Sequence, residues 1–192
     1  GARRVLASPG ALLAGTAAVT ALAAVLATWP LARHLGSATL RTGEVLLTAW
    51  QLNDFHRALL TDPLGWADAH VFFPYGSAAA LNDLLLAHAV LTLPAAAAES
   101  PVLALNLALL GGIVLCGVFG HLLAGELTGD ARAAAVGGLL FALSPFRFLH
   151  LGHLSVAAAW AIPLFFWALL RHLREPSWGR ASLANMPNHL MV

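Results

Sequence analysis

Residues 101–124, PVLALNLALLGGIVLCGVFGHLLA, contain no Asp, Glu, Lys or Arg from end to end. A hydrocarbon core of ~30 Å needs about 20 apolar residues of helix to cross it. This stretch meets that length, and Pro101 suits the first turn of a helix, where its missing N–H is not needed. Gly111, Gly112, Gly117 and Gly120 allow close helix approach, as small residues do in membrane bundles. The stretch decides the fold class: an all-α, polytopic transmembrane helix bundle.

The rest of the chain agrees. Of its 192 residues, 59% are hydrophobic and 10% charged, against roughly 25% charged in soluble domains. The formal charge of +1 gives no reason to expect nucleic acid as a partner. Membrane lipid is the expected surrounding. Further spans are expected at 6–31, 131–149 and 154–170. Arg3 and Arg4 precede the first, which reads either as a signal peptide or as a retained helix. The apolar run exceeds the ~7–15 residues of a signal core and favours retention, with the N-terminus cytoplasmic. Pro145 should bend or fray the 131–149 span. Cys116, the single cysteine, is expected to be a buried, inert thiol. Residues 181–192 carry no pattern, and the chain reads as part of a longer protein whose remaining helices would complete the bundle.

Residues 81–98 are apolar but hold Asn82, Asp83, His88 and Pro94. If they cross, the basic cluster after 170 (Arg171, Arg174, Arg180) falls on the side opposite Arg3 and Arg4. If they do not, all of these lie together, as the positive-inside tendency prefers. A re-entrant or tilted half-helix is therefore the preferred reading, with 34–80 and 146–153 facing outside.

Within that outer loop, residues 43–60 read as a helix lying in the interface. Val45, Ala49, Leu52 and Leu59 fall on one side, and Glu44, Thr48, Gln51 and Asp54 on the other. Trp50 and Trp66 suit headgroup level. Asp54 and Arg57 can pair at i, i+3. Asp62-Pro63-Leu64-Gly65 reads as a turn, and Phe72-Phe73-Pro74-Tyr75-Gly76 as an aromatic turn that either packs on the bundle or walls a cleft.

These pieces, in this order, resemble the N-terminal part of polytopic GT-C glycosyltransferases of the protein O-mannosyltransferase and aminoarabinose transferase type. The resemblance lies in Gly43-Glu44, Trp50-Gln51-Leu52 and His56, the aromatic turn 72–76, Ala104-Leu105-Asn106-Leu107, Leu127-Thr128-Gly129, and the run 139–147 with His150 and His153. It covers about residues 6–174. The family commonly has Asp where this chain has Glu44. The resemblance implies transfer of a sugar from a polyprenyl-phosphate donor to an acceptor hydroxyl at the outer face of the cell membrane. No divalent metal or other cofactor is expected.

Such a reaction needs a base for the acceptor proton and positive charge or N–H donors for the departing phosphate. Glu44 is the candidate base, and Asp54 the next. A carboxylate in a first helical turn is also favoured by the helix dipole alone. Arg147, with His150 and His153 at i, i+3 from each other, is the candidate phosphate contact; an arginine at a span end also snorkels to lipid headgroups. His56, Trp50 and Tyr75 complete the candidate substrate contacts. There is no glycine-rich phosphate loop, CxxC pair or serine-nucleophile motif. The competing reading is a transporter or channel subunit, with Asn106, His121, Asp83 and His88 lining a path.

Overall fold

A computed structural model describes residues 8–40, 43–68, 74, 76–81, 83 and 85–174. Its regular elements are all helical: α1 (Pro9–Ala27), α2 (Glu44–Thr61), α3 (Leu86–Ala96), α4 (Pro101–Thr128), α5 (Ala131–Ala142), α6 (Pro145–Leu149), α7 (Leu154–Ala157) and α8 (Ala161–Arg174), with short 3₁₀ turns at Leu31–Arg33 and Ala78–Leu81. Three helical segments are long and apolar enough to cross a membrane: Pro9–Ala27, Pro101–Thr128, and α5 continued through α6, Ala131–Leu149.

Local chemistry sets the ends. The Ser8 and Ser100 hydroxyls accept from Ala11 N and Leu103 N, each at 3.2 Å, and a proline follows each serine in the first turn. Each cap satisfies one of the N–H groups that a helix start leaves orphaned. Helix α4 stops at Gly129, whose left-handed φ of +68° suits a residue without Cβ. Asp130 then caps α5, accepting from Arg132 N at 2.9 Å and Ala133 N at 2.7 Å. Those two N–H groups hold its carboxyl below the ordinary aspartate range. The result is a tight α4–α5 hairpin.

Helices α1 and α4 are antiparallel: Thr16 meets His121, Thr20 meets Gly117, and beyond the end of α1 Asn106 binds Leu35 O and Ala38 O, both at 2.8 Å. Helix α8 runs parallel to α4, from Ala158 beside Gly112 to Arg174 paired with Glu126. So α1, α4, α5 and α8 alternate in direction. The start of α1, the α4–α5 turn and the end of α8 share one end. At 1.5 Å per residue the 28 residues of α4 run roughly 42 Å and the 19 of α1 roughly 28 Å. The first part of α4 therefore outreaches α1 at the other end, and α2, α3 and α7 pack around it. Leu52, Phe55, Ala89, Leu105, Leu109 and Leu154 are buried there.

The outward faces are apolar instead of polar. Leu22, Leu26, Leu140, Phe165 and Phe166 are all exposed. Between helices, contact rests on small residues. A Cβ on Gly138 would come within 2.6 Å of Gly117 O and 2.8 Å of His121 N. Gly112 and Gly120 are similarly close to α7–α8 and α5, whereas Gly111 has nothing within 4 Å of a would-be Cβ. Gly138→Ala should then cost about 1–3 kcal/mol through forced separation of α4 and α5. Gly111→Ala should be neutral or slightly stabilising. Thermal unfolding in detergent distinguishes the two, and equal midpoints would contradict the packing described.

Two expected spans are divided. The 131–149 segment breaks at Leu143-Ser144, just before Pro145, so α5 ends at Ala142 and α6 starts at Pro145. The 154–170 segment is not one helix: α7 ends at Ala157 and α8 starts at Ala161. Pro163 supplies the reason, because it has no N–H for the carbonyl four residues back and is tolerated only within a first turn. Helix α8 has 14 residues, roughly 21 Å, and follows only the second half of α4. Within 81–98 the helix is α3, whose 11 residues, roughly 16 Å, fall short of a ~30 Å crossing. It runs back beside the first half of α4: His88 Nε2 meets Ala158 O at 3.1 Å, level with Gly112, and Ala96 leads through a short turn into Pro101.

Candidate functional site

Helix α2 starts where the sequence places it. Gly43 precedes it with a φ of +83°, and Glu44 is the acidic residue of its first turn. The division of its faces differs from expectation. Thr48 and Gln51 are buried together with Val45, Ala49, Leu52, Phe55 and His56, while Leu46, Leu47 and Leu60 are exposed. The Thr48 hydroxyl tolerates burial because it donates to Glu44 O at 3.1 Å. The outer side of α2 thus mixes leucines with Glu44, Asn53 and Arg57.

Glu44 and His153 meet. Glu44 Oε1 lies 3.2 Å from His153 Nδ1, and both side chains are about half exposed, 62% and 47%. His153 stands immediately before α7, and its side chain caps nothing. His150 lies alongside, its ring centroid 6.0 Å from that of His153 and 4.3 Å from that of Phe146, with Nδ1 2.8 Å from Phe146 O. On the same short helix the Ser155 hydroxyl donates to Asp83 Oδ2 at 2.7 Å. An exposed acid–imidazole pair contributes little to stability. Its chemical consequence is clearer: a carboxylate only accepts, so Nδ1 carries a proton in this contact and donates it to Glu44.

Other candidates sit elsewhere. Arg147 is buried and turned inward. Its Nε donates to Phe141 O at 2.8 Å and its Nη1 to Val156 O at 3.1 Å and Ala157 O at 3.2 Å, with the guanidinium over the Phe141 ring. It closes the two helix breaks by satisfying carbonyls that α5 and α7 leave free. His56 is also interior, with Nε2 3.0 Å from Ala89 O and 3.2 Å from Thr92 Oγ1, tying α2 to α3. Burial lowers its pKa below the usual histidine value. Asp54 pairs with Arg57 one turn on. Trp50 is half-buried. Trp66 packs on Phe55 at 6.3 Å between ring centroids. The Asp62 turn forms, with Gly65 N 3.2 Å from Asp62 Oδ1. Tyr75, Phe72, Phe73, Asn82, Arg3, Arg4 and the tail with Arg180 lie outside the described residues. Cys116 is fully buried in α4. Among the described residues no three His, Cys, Asp or Glu side chains gather closely enough to hold a metal ion.

The Glu44–His153 contact joins residues far apart in sequence, and no local pattern announces it. Asp83 with Ser155 has the same character. No protein-family model, curated protein or solved structure matches this chain.

Proposed function

We propose that this chain is part of a membrane glycosyltransferase that moves a sugar from a polyprenyl-phosphate donor to an acceptor hydroxyl at the outer face of the cell membrane. One observation carries the reading. Glu44 and His153, each a candidate from the sequence alone, face each other at 3.2 Å at the end of the bundle where α2, α3 and α7 gather. In the proposed step the acceptor oxygen attacks the anomeric carbon and its proton passes to the Glu44 carboxylate. The bond from that carbon to the phosphate oxygen breaks, and the lipid phosphate leaves with the electron pair. His153 holds and orients the carboxylate by its Nδ1–H. We assign the lipid phosphate to Arg33, an exposed cation just beyond α1 with its guanidinium over Trp29.

The proposed topology has the N-terminus in the cytoplasm. The end where α1 starts also carries Arg132, Arg171 and Arg174, and Arg3 and Arg4 lie just upstream in sequence. Helix α2 then lies in the outer interface with Leu46, Leu47 and Leu60 toward lipid, and α3 enters and leaves on the same side. Cysteines introduced at Ala80 and Ala98 should both be labelled from outside the cell by an impermeant maleimide. Opposite accessibility would mean that the segment between them crosses. The transporter alternative has weaker support, because Asn106, His121, Asp83 and His88 are each held in separate hydrogen bonds at different levels.

The reaction is tested with the full-length protein in membranes supplied with a radiolabelled polyprenyl-phosphate sugar. Label should leave the lipid fraction and appear on a hydroxyl-bearing acceptor. Label that stays on the lipid across a panel of sugars and acceptors counts against the reading.

A further inference from the structure

At the opposite end of the bundle, α1, α4, α5 and α8 line an open, shallow cleft of about 440 Å³. That is within the usual range for a small-molecule site. Pro9, Leu13 and Leu122 give the cleft apolar lining, as does Trp167. Three charged side chains line the same cleft: Arg171, Glu126 and Asp130. Arg171 lies over the Trp167 ring at 5.6 Å and has no carboxylate within salt-bridge distance among the described residues. Glu126 Oε1 is taken by Arg174 at 2.7 Å, and Asp130 Oδ1 by two backbone N–H groups. One oxygen of each carboxylate therefore remains without a described hydrogen bond.

A lone guanidinium at the edge of an apolar wall calls for an anion, and a phosphodiester fits its fork. Carboxylates on the same rim would repel a purely anionic headgroup but would accept from a primary ammonium. We propose that this cleft seats a phospholipid with an amine-bearing zwitterionic headgroup, its phosphate on Arg171, its ammonium between Asp130 and Glu126, and an acyl chain along Pro9, Leu13 and Leu122. A quaternary ammonium headgroup lacks N–H donors, and a glycerol headgroup lacks the cation. The apolar wall favours a lipid over free phosphate. The inference rests on the membrane placement proposed above and is independent of the reaction.

The test is native mass spectrometry of the full-length protein in detergent, exchanged against equimolar phosphatidylethanolamine, phosphatidylcholine and phosphatidylglycerol. Phosphatidylethanolamine should be retained about threefold to fivefold over either competitor, the factor of an interfacial ion pair. Arg171→Gln should lower retention of all three lipids, whose phosphate it holds, and Arg171→Lys should keep most of it. Asp130→Asn still caps α5 and should abolish only the preference over phosphatidylglycerol. Equal retention of all three lipids by the parent, or unchanged total lipid retention in Arg171→Gln, overturns the headgroup seat. Absence of every lipid would count against the membrane placement as well.

Discussion

Arg147→Met should lower the stability of the protein by about 3–5 kcal/mol. The estimate follows from what the guanidinium holds. It donates to three carbonyls, Phe141 O, Val156 O and Ala157 O, and is itself buried. A buried polar group stripped of its partner costs about 1–3 kcal/mol, and hydrogen bonds from a charged donor sit at the upper end. Methionine fills much of the volume and adds no charge, so the loss reports the carbonyls and not a cavity. Arg147→Lys should recover part of the loss, because an ammonium offers donors without the fork that reaches both helix breaks. Thermal unfolding in detergent measures both. Limited proteolysis adds a local readout: cleavage should rise first between His150 and Trp160, where α6, α7 and α8 join. A Met variant within about 0.5 kcal/mol of the parent would mean that the guanidinium does not hold these breaks together.

The same arginine marks where sequence reasoning stops. Length and apolar content place the long helices, because those quantities are local. Serine followed by proline at 8–9 and 100–101 marks two helix starts, and Thr128-Gly129-Asp130 marks a stop and a restart. Pro163 carried a legible signal as well, since a proline three positions into α8 cannot lie deep inside a longer helix. What the chain does with the freed carbonyls is not local. His88 reaches one from 70 residues away, and although Arg147 lies within ten residues of its three acceptors, an arginine at a span end looks the same whether it turns inward or out to headgroups. Helix α2 shows the limit in another form. Its start and length follow from Gly43, Glu44 and the spacing of its apolar residues. Thr48 and Gln51 read as surface residues because α3 and α4, which help cover this helix, cannot be placed by the pattern of α2 alone. Glu44 was legible as a candidate for its charge beside a membrane. Its partner His153 became visible only once α7 was folded against the start of α2.

Glu44→Gln should reduce sugar transfer by the full-length protein about 10²–10⁴-fold, the range of general base catalysis, with the protein still in the membrane and still folded. Glutamine keeps the length and a hydrogen-bond acceptor for His153 Nδ1, so geometry changes little while basicity is lost. The half-exposed pair contributes little to stability, so the unfolding midpoint should stay close to that of the parent. His153→Gln separates two ways of using the contact. If Glu44 takes the proton and His153 orients it, this variant retains the base and loses about tenfold at most. If instead Nε2 of His153 takes the proton and Glu44 orients the ring, both variants fall alike. Asp54→Asn supplies the control, because that carboxylate pairs with Arg57 one turn further along α2 and its loss should leave the rate within about twofold. Transfer at the parent rate in Glu44→Gln would remove the carboxylate from the chemistry altogether. The 3.2 Å contact with His153 would then be a surface ion pair like any other, and the reaction would have to be sought away from the start of α2.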